Sequence, residues 1–378
     1  MRYRLLRHIH LWLSIAVTVP VVVLSLSGAL LVYGPELQRL VDPEPWAVTA
    51  EGPMMPPGAL VESARAQRPD LRIWALSNAR DPDEAWTAWL AGGAGVINVD
   101  PYTGRILAHY KPQETFQGWI TALHRRLLAE GETARWIRNG ISAVALSVIL
   151  QLVLGFWLWL MPRRRWRRLA VTTRHGAPFA VMRIHQLTGI LTALLILAVA
   201  FTGMAMYWHG PTQKVVEWVT GDTVRQPEPP DFEGLAPIRD LDEAVEVALA
   251  QQPGAEIRHV RPPAELGDPA VVGMAAPGQA VPTRVWVGDE PLRPLYVFDG
   301  RAVGPATWLW HQRYAIHVGD FAGPLVRAAW IVVALLPAAF SLSGLWLYLM
   351  RGRRKRRERP GAIEREAPRP ARAHSSLS

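Results

Sequence analysis

The chain has 378 residues and no cysteine. A disulfide framework, a covalent c-type heme attachment, a thiolate metal centre and a catalytic thiol are all excluded by that absence. Charge is the second thing missing, and it is missing locally. Four stretches, 11–33, 140–161, 187–208 and 328–350, contain no Asp, Glu, Lys or Arg. About 20 uncharged, mostly apolar residues are what a helix needs to cross a hydrocarbon core of about 30 Å. The first run is too long for the apolar part of a signal peptide and lacks an obvious small-residue cleavage site after it, so it reads as a retained span. No glycine-rich phosphate loop and no nucleophile motif is present.

What is present is basic and rich in tryptophan. The formal charge is +9, and there are 17 tryptophans. Acids are scarce in three segments: residues before the first span, the loop between spans two and three, and the segment after span four. Together these hold 20 basic residues against three acids, while the remainder holds 21 against 29. By the positive-inside rule the basic segments are cytoplasmic, so both termini lie inside and the two long acidic segments outside. The basic tail reads as a topology signal beside a span rather than as a nucleic-acid site. Trp12, Trp119, Trp136, Trp208, Trp308, Trp310 and Trp330 lie near the expected interfaces, where they read as a belt.

The expected organisation is a cytoplasmic N-terminus and first span (1–33), a periplasmic module with an interfacial helix (34–138), span two (139–161), a basic loop (162–184), span three (185–208), a second periplasmic module (209–326), span four (327–350) and a disordered basic tail (351–378). The first module predicts a helix at Gly58 to Arg68 and strands at Leu71 to Leu76, Ala85 to Leu90, Gly95 to Val99 and Arg105 to Leu107. Asp100-Pro101-Tyr102-Thr103-Gly104 forms the turn before the last strand. The second module predicts a helix at Leu241 to Gln251, capped by Asp240, and strands at Ile257 to Val260, Ala270 to Ala275, Thr283 to Val287 and Leu295 to Val297. The fold class is therefore mainly α, four transmembrane helices in two pseudo-repeats with two small α+β modules.

The halves correspond residue by residue. His10 precedes Ser27-Gly28 as His185 precedes Thr202-Gly203, each with 18 residues from His to Gly. Arg138 precedes Gly155 by 17 residues, and Arg327 precedes Gly344 by 17. His124 and His317 stand before these second spans. Topology then places His10 and His185 at the inner face and His124 and His317 at the outer face. A single interfacial histidine is an ordinary polar residue; four in duplicated register point to ligation. Heme iron takes two axial imidazoles, and a helix bundle suits a flat apolar ring. Ser27-Gly28, Thr202-Gly203, Gly155 and Ser343-Gly344 would leave room for rings, although small residues also serve close helix packing. His311, six residues from His317, is the second choice as ligand. Zinc has no supporting acid-rich or close His-His spacing, and a proton relay is a further use of histidine.

These strings resemble the PepSY-associated transmembrane family. The resemblance rests on Leu6 through Gly28 with SLSGALL, HQLTG from His185 with AFTGM from Ala200, the turn VDPYTGR from Val99, and IHVG from Ile316 leading to SLSGLWLYL from Ser341. It spans nearly the whole chain except the tail; Asp299-Gly300-Arg301 departs from the first turn by lacking its Pro-Tyr-Thr. It implies PepSY-like modules outside a bacterial inner membrane. It also implies a di-heme reductase of the ferric-siderophore type, an oxidoreductase with two b hemes. Carried onto this chain, His10 and His185 would hold an inner heme and His124 and His317 an outer one. Electrons would come from a quinol, a membrane partner or a flavin reductase, and would go to a ferric siderophore or another periplasmic iron chelate. Arg72, Arg80, Arg258 and Arg261 are candidates for attracting an anionic chelate, each with a solvated surface role as its plainer reading. A homodimer is compatible with the pattern, and no nucleic-acid partner is expected. The competing expectation is a membrane-anchored binding or regulatory module for an envelope protein or protease, without redox activity. A siderophore permease is a third, weakened by the small number of spans and by their lack of charge.

Overall fold

The computed structural model describes residues 2–357, apart from 80, 163, 164, 169 and 173. Four long helices carry the apolar runs: α1 (Arg2–Leu31), then α5 (Gly131–Leu160), α6 (Ala177–Ala205) and α10 (Pro324–Arg357). Each is long and apolar enough to cross a bilayer. Pro20 lies inside α1 and Pro337 inside α10. A spanning helix tolerates this because neighbouring helices and hydroxyl side chains re-satisfy the freed carbonyls. α1 packs on α5 and α10, and α6 packs on the same two, so α1 and α6 occupy opposite corners of a four-helix bundle. α10 continues through Arg357, so the first residues of the expected tail are helical; the rest of that tail lies outside the described residues.

Shorter helices pack at one end of the bundle and on the sheet. They are α2 (Gly34–Val41), α3 (Pro57–Gln67), α4 (Phe116–Arg126), α7 (His209–Thr220), α8 (Leu241–Leu249) and α9 (Pro305–Val318). Proline at the first turn of α2, α3 and α9 supplies a pre-set φ where a missing N–H costs nothing. Asp240 caps α8, its carboxylate accepting from the Asp242 and Glu243 amides at 2.8 and 3.3 Å.

The strands are β1 (Ile73–Ser77), β2 (Trp86–Leu90), β3 (Val96–Val99), β4 (Ile106–Tyr110), β5 (Glu256–Arg261), β6 (Ala270–Ala275), β7 (Thr283–Gly288) and β8 (Arg293–Phe298). They do not form two separate sheets. A single antiparallel sheet runs β4-β3-β2-β1-β5-β6-β7-β8, joined where Leu76 pairs with Val260 and Ser77 with His259. One face packs on α3 and α8. Leu60 and Val61 meet Leu76, Ala88 and Ile97 there, and Ala244 and Val245 meet Val260, Val272 and Val285. Burying an aliphatic side chain of this size contributes about 1.5–3 kcal/mol, so this layer dominates the stability of the sheet. Asp242 of α8 reaches across the seam and accepts from the amides of Gly58 and Ala59 at the start of α3, at 2.6 and 3.1 Å.

At the end of the bundle near the sheet, Arg327 ties α10 to α1 and α2. Its guanidinium donates twice to the Val32 carbonyl, at 2.9 and 2.7 Å, pairs with both Glu36 oxygens, and lies over the Tyr33 ring. Of the tryptophans assigned to an interfacial belt, Trp310 and Trp330 are buried instead. Trp330 fills the space beside Gly319, where any Cβ would collide with its side chain.

Candidate functional site

His124 sits on the last turn of α4, which packs against α1; His317 sits on the last turn of α9, which packs against α6. The two rings face each other with centroids 6.2 Å apart and planes at 56°. Two imidazoles binding one first-row metal ion from opposite sides would have centroids roughly 6 Å apart, from nitrogen–metal bonds of about 2 Å and ring radii of about 1 Å.

Hydroxyl groups fix which nitrogen each ring presents. Ser27 Oγ donates to the Val23 carbonyl at 2.7 Å, so its lone pair is left to accept from His124 Nδ1 at 3.0 Å. Thr202 Oγ1 likewise donates to Ala198 and lies 3.1 Å from His317 Nδ1, which also reaches the Val199 carbonyl at 3.0 Å. A carbonyl only accepts, so His317 Nδ1 carries the proton. Both rings are thereby turned to offer Nε2 with a bare lone pair, the arrangement that orients metal-ligating histidines. Burial pushes His124 down to about 4, with His317 adding to the shift, and burial also lowers His317. Both are neutral at pH 7, the form that can ligate.

Glycine gives these rings their place. A Cβ on Gly28 would lie 3.0 Å from His124 Cε1, and one on Gly203 would lie 2.8 Å from His317 Cε1. His124 is followed by Leu127 and Leu128, both in the left-handed region at φ 48° and 64°. That backbone is strained for residues with a Cβ, and it turns the chain directly into α5.

The other two histidines lie near the far end of the bundle. His10 and His185 line one cavity of about 450 Å³ between α1, α5, α6 and α10, a size usual for small-molecule and cofactor sites. Ser343 Oγ donates to Phe340 and lies 2.9 Å from His185 Nδ1, repeating the hydroxyl arrangement. The Phe340 ring meets His185 edge-on at 5.0 Å. His10 lies against Gly155, but the residue before that glycine is Leu154. His10 Nδ1 is accordingly buried with no hydrogen bond of good geometry. Arg7, Arg183 and Arg351 also line this cavity. Along α1, the 18 residues from His10 to Gly28 separate the two histidine pairs by about 27 Å.

His311 does not join His124; its ring packs against Phe298 of β8 at 6.5 Å. Of the four candidate arginines, Arg72 donates to the Ala264 carbonyl, Arg258 pairs with Glu256, Arg261 lies over Trp74, and Arg80 is outside the described residues. Among the described residues no three His, Asp or Glu side chains cluster as a cation cage would require. Sequence reasoning used Ser27, Thr202 and Ser343 only as small residues. Their function as Nδ1 acceptors was detectable in the recurring Ser/Thr-Gly pairs.

Fold and site together define a four-helix membrane protein with a strand-rich cap, in which His124 lies beside His317 and His10 and His185 line one cavity. The chain matches the profile of the family described as the PepSY-associated TM region over residues 7–351, and it belongs to that family. A comparison with curated proteins finds no match.

Proposed function

We propose that this protein is a two-heme electron carrier that passes electrons across the bacterial inner membrane to ferric iron held by a chelator on the periplasmic side. The facing of His124 and His317 carries the reading: two neutral rings, 6.2 Å between centroids, each with Nδ1 occupied. The charge asymmetry of the loops supports placing the sheet outside and the Arg-rich cavity inside. The correspondence of the two halves supports treating the His10–His185 pair in the same way.

Bound at the two pairs, b-type hemes would supply reversible one-electron transfer. The residues of the chain do the rest. Ser27, Thr202, Val199 and Ser343 hold the imidazole tautomers. Gly28, Gly203 and Gly155 leave room for the rings. Arg7, Arg183 and Arg351 suit the carboxylates of a porphyrin at the inner site. The apolar walls of the cavity exclude water. The donor is of the quinol or reduced-flavin class. Each ferric ion accepts one electron, and the ferrous product is held less tightly by hard oxygen ligands.

The test is a visible spectrum of detergent-purified protein, oxidised and dithionite-reduced, with a pyridine hemochrome stoichiometry. The expected result is two b hemes per chain, one lost with His124→Ala or His317→Ala and the other with His10→Ala or His185→Ala. A heme-free protein from cells supplied with heme would overturn the reading and leave a membrane-anchored binding module.

A further inference from the structure

The sheet face turned away from α3 and α8 carries an unusual row. Val260, Val272 and Val285 point into the α8 core, so His259, Gly273 and Arg284 lie on the opposite face. Register places them side by side: Ser77 with His259, His259 with Gly273, Gly273 with Arg284, and Arg284 with Phe298. The His259 ring lies over Gly273, where any Cβ would collide with its Cε1. Gly273 therefore lets that ring reach along the row toward Arg284.

α9 closes on this face. His311 packs against Phe298, and Gln312 Nε2 donates to the Ala280 carbonyl at 3.5 Å. Arg313 stacks on Trp310 at 4.4 Å, and its Nε is buried without a partner. Arg261 of β5 lies one step further along the same face, over Trp74. These basic groups perturb one another. Burial lowers His259, with Arg284 and Arg261 adding to the shift; it lowers His311, with Arg284 and Arg313 adding. No carboxylate contributes to the shift of His259, Arg284, His311 or Arg313. Half-buried arginine without a counter-charge is costly, and a fold that keeps it there has an anion to meet. Arg313, two residues on from His311, turns to the other side of α9, where it donates to the Trp310 carbonyl and shares the face of His317.

We propose that His259, Arg261, Arg284 and His311 form a docking site for a multiply anionic, oxygen-rich ligand. Taken with the electron-transfer reading above, that ligand is the ferric chelate itself, of the catecholate or carboxylate class rather than the neutral hydroxamate class. His259 is neutral at pH 7 and donates a hydrogen bond; the arginines supply charge and paired donors. Trp74, exposed beside Arg261, offers a flat surface for aromatic parts of the ligand.

The probe is the gallium(III) tricatecholate complex, which is redox-inert, titrated into the full-length protein in detergent. It should bind at least about tenfold more tightly than the neutral gallium trihydroxamate, and added salt should weaken it. Arg284→Gln should cost about tenfold or more, whereas Arg301→Gln, an exposed side chain paired with Asp299, should cost almost nothing. Equal binding of the two gallium complexes, or an Arg284→Gln protein that binds like wild type, overturns the site. A heme-loaded protein that ignores the anionic complex defeats this proposal alone. A heme-free protein that binds it defeats the electron-transfer reading alone.

Discussion

The glycines beside the histidines form a graded series. In Gly203→Ala the new methyl would stand 2.8 Å from His317 Cε1, and in Gly28→Ala 3.0 Å from His124 Cε1. In Gly155→Ala it meets His10 at 3.6 Å, an ordinary contact, and in Gly344→Ala it meets nothing within 4 Å. Alanine gains about 0.8–1.0 kcal/mol over glycine inside a helix. Forcing an extra methyl into a packed site costs about 1–3 kcal/mol. Gly344→Ala and Gly155→Ala should therefore each be stabilised by up to about 1 kcal/mol, and Gly203→Ala and Gly28→Ala should lose about 1 kcal/mol net. Thermal unfolding in detergent, followed by tryptophan fluorescence, should resolve this as a spread of several degrees, at about 2–4 °C or less per kcal/mol for a chain of this size. The absorbance of the proposed hemes, read on the same samples, should fall in the two tight variants and hold in Gly344→Ala. If all four variants melt together and keep the same band, the rings do not depend on these close approaches and the reasoning fails.

Replacing Arg327 by Met removes the tie between α10, Val32 and Glu36. It should cost about 1–3 kcal/mol, between an exposed and a fully buried ion pair, and Glu36→Gln should cost less; chemical denaturation of both variants gives the comparison. Asp242→Ala uncaps α3 from the other half of the sheet and should cost about 1–2 kcal/mol, with amide exchange rising first at Gly58 and Ala59. His259 has a folded pKa lowered to about 4, below its unfolded value, by burial and then by Arg284 and Arg261. The unfolded chain therefore takes up a proton first, and the stability held above about pH 6.5 is lost as pH falls toward 4. Melting temperatures across that window should drop by the equivalent of about 3 kcal/mol at most. His259→Gln should flatten the slope, and an unchanged slope would remove His259 from the account.

The strands were legible because each has local causes. β6, with its run of small and β-branched residues, coincides with the expected Ala270 to Ala275, and the Asp100 carboxylate accepts from the Tyr102 amide to close the expected turn. The four spans were legible because a bilayer imposes about 20 uncharged residues on a crossing helix, a length of apolar run that soluble helices seldom keep. The pairing of β1 with β5 was not, because nothing in Leu76 or Ser77 names a partner about 180 residues away in the chain. The basic row was missed for the same reason. His259, Arg284 and His311 come from three separate elements, and only the register of the sheet and the docking of α9 bring them together. The pairing of the histidines followed from topology, but the Nδ1 acceptors required the side-chain contacts.

The seam between β1 and β5 has a consequence for how the protein is made. Until β5 is delivered, the outer backbone edge of β1 has no neighbour in the sheet. Residue 256 follows residue 77 by about 180 positions, and at synthesis rates of about 5–20 residues per second the gap lasts roughly 10–40 s. During that interval the half-built cap presents an open strand edge beside the membrane surface, the kind of edge that recruits another chain. Biogenesis must keep nascent copies apart, or shield that edge, until the second half arrives to zip it shut.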